Sequence, residues 1–296
     1  MGTLFGGYLS RRNEVYLVDV NASRIEEIVR NGVRVREKAG KENVFWPSAV
    51  TDTAALPEMD LIIIFVKSVY TAGALEANRG IIGKNTYLMT LQNGTGHELK
   101  ISAFADMSHI IIGTTQHNSS IIADGYVHHG GDGKTMIGLA NGKSEDIRDI
   151  ASSFTACGID CEICNDIKAQ IWRKLFTNTA ASSLTAVLQV PLGFIYDDVN
   201  ARALMRELCK EAVMVANAEG FVNFDEHEIV NEVENVCKNA PKGYTSIYAD
   251  VKAGTRSEVD TISGSVVEGA RELGISVPHH EMIVHLIHAL EHKNQR

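Results

Sequence analysis

Six consecutive apolar residues, Leu61-Ile62-Ile63-Ile64-Phe65-Val66, interrupt an otherwise mixed stretch of this 296-residue chain. The run is far shorter than the ~20 residues a membrane span needs. A short apolar run without alternation reads instead as a buried strand of a parallel sheet, whose two faces are both covered. The rest of the first half agrees. Strand patterns at Val15–Asp19, Asp60–Lys67, Thr86–Gln92, His109–Thr114 and Cys161–Cys164 alternate with helical patterns, among them Ala22–Arg30 and Glu145–Ala156. Asn31-Gly32 is a stop signal for the first of these helices. Two hairpins turning through glycines are expected near Val33–Phe45 and Tyr126–Leu139.

From about Asp166 onward the strand signal ends. Apolar residues recur at three- and four-residue spacing through Ile167–Val190, Val199–Ala218, Glu226–Asn239, Ile247–Ala253, Ser257–Leu273 and His280–His292. The expectation is an α/β Rossmann-like dinucleotide-binding domain over residues 1–165 and an all-α C-terminal domain over 166–296. Ligands of such folds bind at the carboxyl ends of the strands, where a second domain can close over them.

Composition narrows the partners. With 28 Lys+Arg against 37 Asp+Glu the net charge is −9, and no basic stripe interleaves with aromatics, so nucleic acid is not expected. Hydrophobic residues at 45% and charged residues at 22% exclude a disordered chain or a coiled-coil rod. The N-terminus has no export-signal pattern, which makes a cytoplasmic location and no membrane the default expectation. Five unevenly spaced cysteines, Cys157, Cys161, Cys164, Cys209 and Cys237, read as reduced thiols.

The first residues, Met1-Gly2-Thr3-Leu4-Phe5-Gly6-Gly7-Tyr8-Leu9, already form a helix pattern ahead of strand Val15–Asp19. A parallel α/β domain usually opens with a strand and a glycine-rich turn that holds a pyrophosphate. One reading is that the chain begins inside a G-x-G-x-x-G motif, with its first strand missing, Gly2 its last glycine and Met1 an internal methionine. The other is a fold that starts with a helix.

Asp19 ends the next strand, where a carboxylate can accept both ribose hydroxyls of an adenosine and repel a 2′-phosphate. Val20-Asn21-Ala22-Ser23 brings no cation before Arg24, which favours NADH over NADPH; Asp19 as a cap of the following turn is the alternative. Lys67 and Asn93 each follow an apolar strand and so lie at strand carboxyl ends, although Asn93-Gly94 is also an ordinary turn signal. Lys174, Asn178 and Ser182 fall at i, i+4 and i+8 beside Trp172, Leu175 and Phe176. A lysine desolvated there can give a proton to a developing alkoxide; otherwise the stripe is a solvated helix face. Glu258 fits a capping box in Thr255-Arg256-Ser257-Glu258, and Ser246 and Asp250 share a helical face able to hold a small carboxylate or hydroxyl ligand.

Other motifs fail. Gly130-Gly131-Asp132-Gly133-Lys134-Thr135 has His128 where a P-loop needs glycine, and a strand pattern follows. Cys161 and Cys164 point to opposite faces of a strand, and His285, His288 and His292 fit a surface helix, so no metal is expected.

Taken in order, five segments resemble the ketopantoate reductase (2-dehydropantoate 2-reductase) family. They are Met1 to Gly6; Phe65-Val66-Lys67; Leu91-Gln92-Asn93-Gly94; Trp172 to Asn178 with Leu184-Thr185-Ala186; and Ser246 to Asp250 leading into Thr255-Arg256-Ser257-Glu258-Val259-Asp260. The resemblance covers essentially the whole chain. It implies reduction of a small 2-keto acid, 2-dehydropantoate foremost, by NAD(P)H, with catalytic Lys174 as proton donor beside Asn93 and Glu258. It further implies Gly2, Asp19, Lys67, Asn93, Ser119 and Glu258 toward the cofactor. Lys174, Asn178, Ser182, Ser246 and Asp250 lie toward the substrate, and the helical domain forms a homodimer. The sequence departs from the family in three places: Ser182 replaces an asparagine, Leu192 replaces a polar residue, and Val20 replaces a basic one. The first two favour a different 2-keto or β-hydroxy acid as the alternative substrate; the incomplete glycine motif favours a non-catalytic nucleotide binder as a third reading.

Overall fold

In the computed structural model, which describes residues 1–220 and 222–294, the chain divides into two units. One comprises Met1–Gln92 and His97–Ile167, the other Asn93–Gly96 and the chain from Lys168 onward.

The α/β unit runs α1 (Gly2–Leu9), β1 (Tyr16–Val18), α2 (Ala22–Asn31), β2 (Val33–Glu37), β3 (Glu42–Phe45), β4 (Ser48–Val50), β5 (Leu61–Ile64), α3 (Thr71–Ala77), β6 (Tyr87–Thr90), α4 (His97–Ile101), β7 (Ile110–Thr115), β8 (Asn118–Ala123), β9 (Tyr126–Gly131), β10 (Thr135–Leu139), α5 (Arg148–Ala156) and β11 (Cys161–Ile163). A five-stranded sheet has the order β11-β10-β7-β6-β5, parallel from β5 through β7, with β10 antiparallel to β7. β1 and β4 form a separate parallel pair, and β3-β2-β9-β8 a four-stranded sheet.

The expected hairpin at Val33–Phe45 is β2–β3. The one expected over Tyr126–Leu139 is not a hairpin. β9 pairs with β8 through the Asp124-Gly125 turn and with β2, while β10 crosses to the other sheet, between β7 and β11. Asp-Gly is a strong two-residue hairpin signal, and it outranks the later glycines.

Helix α1 packs tightly because Gly6 carries no side chain: a Cβ there would lie 2.4 Å from Leu17 Cδ2. The core then gathers Leu4, Phe5, Ile28, Met89, Ile111 and Phe154. A buried polar chain ties α1 to the four-stranded sheet. Glu37 accepts from Tyr8 Oη at 2.7 Å and from His129 Nδ1 at 2.9 Å, and His129 Nε2 meets His117 Nδ1 at 3.0 Å. Since a carboxylate only accepts, His129 carries its proton on Nδ1; its Nε2 then accepts from His117. Burial would raise the Glu37 pKa, but the hydrogen bonds from Tyr8, His129 and Asn43 outweigh it and hold it below the usual value.

The helical unit contains α6 (Ile167–Thr177), α7 (Ser183–Leu188), α8 (Leu192–Asp197), α9 (Val199–Ala218), α10 (Glu226–Asn239), α11 (Ser246–Lys252), α12 (Ser263–Leu273) and α13 (Pro278–Asn294). The single helix expected over Ile167–Val190 is interrupted by a π-helical turn, Asn178–Ser182, and closes at Gln189 in the left-handed conformation. The 3₁₀ turn Val259–Thr261 likewise splits the start of the helix expected from Ser257. All five cysteines are free. Among the described residues no helix is long and apolar enough to cross a membrane.

Candidate active site

Lys174 is held in place by its neighbours on α6. Trp172, Leu175 and Phe176 are buried, and Trp172 Nε1 donates to Glu219 Oε2 at 3.0 Å. Arg173 reaches α10, pairing with Glu228 at 3.0 Å and also with Glu232. The Lys174 side chain is half-buried. Burial lowers its pKa from the ordinary lysine value to about 8, against the opposing pull of Glu258.

Glu258 does not form the capping box that its sequence context offered as an alternative. Its Oε2 accepts from Asn93 Nδ2 at 2.9 Å, while the Thr255 N–H, which a capping box would give to Glu258, donates to Asp250 O at 2.9 Å. The loop that carries Asn93 depends on Gly94, whose φ is +106° and whose added Cβ would fall 1.9 Å from Thr261 O. Only glycine adopts that backbone without strain and permits that approach. The segment Asn93–Gly96 therefore groups with the helical unit. Lys174, Glu258 and Asn93, far apart in sequence, are brought together.

The π turn displaces the expected polar stripe. Beyond Asn178 the side chains no longer repeat at i+4, and such turns recur at functional sites. Carbonyls released from the helix ladder take hydroxyl donors. Ser183 Oγ donates to Asn178 O at 3.4 Å, and Thr185 Oγ1 to Ser182 O at 2.8 Å. Ser183 also meets Ser263 at 3.0 Å and Thr185 meets Thr245 at 2.9 Å, a seam that joins α7 to α11 and α12. None of these hydroxyls stands out from the sequence, because each is a small polar residue within an apolar helix pattern.

Asn178 is half-buried at the start of the turn, and Ser182 is buried at its end. Ser246 opens α11 as an exposed residue, and Asp250 accepts from Thr255 Oγ1 at 3.1 Å. Leu192 is buried at the start of α8, its N–H donating to Gly243 O at 3.0 Å.

The remaining candidates lie in the α/β unit. Asp19 follows β1; its Oδ1 accepts from the Asn21 N–H at 2.9 Å, and its Oδ2 pairs with Arg24 at 2.5 Å. Arg24 also pairs with Asp124 at 3.2 Å. The turn-cap and cation questions raised by the sequence thus meet here: Asp19 caps the turn, and Arg24 reaches back to it. Lys67 precedes a 3₁₀ turn, Ser68–Tyr70, just after β5. Ser119 lies on β8 opposite His129. At α1, Met1 makes no side-chain cap and the first turn has no acidic residue, leaving those N–H groups suited to an anionic phosphate near Gly2. With the Asp19 carboxylate at a strand end, these residues fit a nicotinamide dinucleotide.

Known proteins are similar to this chain over nearly its whole length. The family model described as ketopantoate reductase PanE/ApbA matches residues 1–142, and its C-terminal counterpart matches residues 166–291. A 2-dehydropantoate 2-reductase of Streptococcus pyogenes is 31% identical over 98% of this chain and 95% of its own. One of Halobacterium salinarum is 29% identical over 94% of this chain and 91% of its own. Among solved structures, a D-mandelate dehydrogenase with NADH and anilino(oxo)acetate superposes with a TM-score of 0.93 at 26% identity, over 100% of this chain and 97% of that one. A PanE/ApbA family ketopantoate reductase from Ralstonia eutropha gives 0.88 at 26% identity, over 99% and 95%. The chain belongs to the ketopantoate reductase family and is an NAD(P)H-dependent oxidoreductase with a Rossmann-like domain and a helical domain.

Proposed function

We propose that this protein reduces a small branched 2-keto acid, 2-dehydropantoate foremost, to the 2-hydroxy acid, with Lys174 as the proton donor. The observation that carries this reading is the Lys174, Glu258 and Asn93 cluster, with the lysine pKa lowered by burial to about 8. Reduced nicotinamide supplies the hydride when bound. Hydride addition builds negative charge on the carbonyl oxygen, which an ammonium stabilises and then protonates. A lysine of ordinary pKa holds its proton too tightly near neutrality, whereas one near 8 is still charged and releases it readily. Glu258 keeps the lysine from losing its charge altogether, and Asn93 fixes the Glu258 carboxylate. Asn178, Ser182, Ser246 and Asp250 are assigned to the substrate.

NADH is the preferred cofactor in this reading. Asp19 accepts the ribose hydroxyls, Val20 is exposed without a charge, and Arg24 is neutralised by Asp19 and Asp124. Gly2, Lys67 and Ser119 complete the cofactor contacts, and the helical unit is assigned a homodimer contact.

A second reading keeps the chemistry and changes the acid. Ser182 and the buried Leu192 offer shorter or no donors to substrate, and a D-mandelate dehydrogenase superposes with a TM-score of 0.93. Turnover of NADH and NADPH across a panel with 2-dehydropantoate, other branched 2-keto acids and an aryl 2-keto acid separates the two. The first reading expects the highest kcat/KM with 2-dehydropantoate; an aryl acid in first place selects the second.

A further inference from the structure

His288, one of three histidines that spacing places on a surface face of α13, has a carboxylate at each ring nitrogen. Its Nε2 lies 2.8 Å from Asp260 Oδ1 and its Nδ1 3.2 Å from Glu291 Oε2. An ionised carboxylate only accepts, so this bridge is complete when both ring nitrogens carry protons and donate. His288 and Glu291 stand three positions apart and so share one face of the helix. The other oxygen of Asp260, Oδ2, accepts from Arg256 Nη2 at 3.1 Å. Glu291 is buried, and its Oε1 accepts the Ser257 N–H at 2.7 Å. Burial would raise the Glu291 pKa, but the hydrogen bonds from Ser257 and His288 outweigh it and keep the carboxylate ionised.

These two anchors fall on either side of Glu258. Ser257 immediately precedes it, and Asp260 follows two residues later, inside the 3₁₀ turn Val259–Thr261. Short bonds tie the segment to itself: Glu258 O accepts from the Thr261 and Ile262 N–H groups, both at 3.1 Å, and Ser257 Oγ accepts from the Val259 N–H at 3.3 Å. Residues 257–262 therefore move as one piece, held by α13 at Ser257 and at Asp260. That piece presents the Glu258 carboxylate to Asn93 and the Thr261 carbonyl to Gly94.

We propose that His288 is a positioning residue for the reduction: by bridging Asp260 and Glu291 it sets the turn that carries Glu258, and through Glu258 the negative charge that acts on Lys174. The inference rests on the Lys174 reading above and deepens it. His288 acts through Glu258 and exchanges no proton with the substrate. Without its ring, Asp260 and Glu291 lose their shared donor, and of the two anchors only the Ser257 N–H remains. The Glu258 carboxylate is then no longer held at a fixed distance. Its pull falls off with distance, so Lys174 feels its burial with less compensation.

The test follows the Lys174 ammonium directly, by carbon-13 NMR titration of the lysine-labelled full chain, with Lys174→Met to identify its signal. The variants are His288→Leu, Asp260→Ala and His288→Arg; arginine restores a permanent charge with several donors. The expected result is a Lys174 titration moved down by roughly 0.5 pH unit or more in His288→Leu and in Asp260→Ala, and returned to the parent value in His288→Arg. The alkaline limit of kcat with the best keto acid should move in step, with NADH affinity unchanged. A contact that served stability alone would lower Tm and leave the Lys174 titration in place. Asp260→Ala covers a His288→Leu chain that does not fold. A Lys174 titration unchanged in both of these variants overturns the proposal, and so does a His288→Arg chain that titrates like His288→Leu. The NMR titration needs neither keto acid nor cofactor. Failure of the proton-donor reading shows separately, as a parent rate that does not change with pH.

Discussion

Asn93 donates its side-chain amide to the Glu258 carboxylate at 2.9 Å, across 165 positions of sequence. That one bond joins the loop after a central strand to the turn before α12, and the loop reaches it only because Gly94 lies against the Thr261 carbonyl. A Gly94→Ala chain should lose at least about 1 kcal/mol of stability, since alanine disfavours the positive φ and clashes with that carbonyl. Its keto-acid turnover should fall together with its denaturation midpoint. Unchanged values for both would show that the loop is free to move.

Lys174 should stabilise the fold when it is removed. Its folded pKa, about 8, lies below its unfolded value, so the charged form is penalised in the native state. Replacement by methionine should raise stability at pH 7 by about 1–3 kcal/mol while activity is lost. The sign with pH follows from proton counting. Between pH 8 and the ordinary lysine pKa the unfolded chain binds more protons, so the parent gains stability as pH rises and the gap to Lys174→Met closes. Urea melts at pH 7 and pH 10 check this; a gap that widens at pH 10 contradicts it.

Glu37 acts in the opposite direction. Its folded pKa is held low, so its contribution is complete above the usual carboxylate value and disappears as pH falls through the folded one. Glu37→Gln should cost about 1–3 kcal/mol near neutrality, because His129 and Tyr8 lose a charged acceptor. The difference from the parent should vanish in acid. Thermal melts from pH 7 downward measure it, and a constant difference would rule out the ionised carboxylate as the source.

The proposed NADH preference makes Asp19 and Arg24 the residues that set cofactor choice. Substituting Asp19 by serine removes the repulsion toward a 2′-phosphate and leaves Arg24 with only Asp124 as a carboxylate partner. The ratio of NADPH to NADH affinity should rise at least tenfold, read by fluorescence titration of both cofactors. An unchanged ratio would place discrimination elsewhere.

Much of this was legible in the chain. Periodicity located the strands at Ile110 and Tyr87 and the long helices α9 and α10 because each buries a regular stripe. It passed over α8, six residues long, and the break at Asn178–Ser182, because a π turn changes hydrogen bonding without changing the apolar pattern. Local rules alone left a capping box open as an alternative for Glu258. A capping box is a short-range competitor, and it loses here to an asparagine that no spacing rule connects to it. The Glu37, His129 and His117 chain was equally hidden, since its members come from three different strands or their flanks and meet only when β2, β8 and β9 assemble.

The most direct test of the central claim is single-turnover reduction of 2-dehydropantoate, and of the best acid in the panel, by NADH with the parent and with Lys174→Met. The expected result is a rate lower by roughly 10²–10⁴-fold in the variant, with NADH affinity unchanged. The parent rate should also fall as pH rises through about 8, where Lys174 loses its proton. A variant that keeps the parent rate, or a parent rate flat from pH 7 to pH 9, would contradict Lys174 as the proton donor.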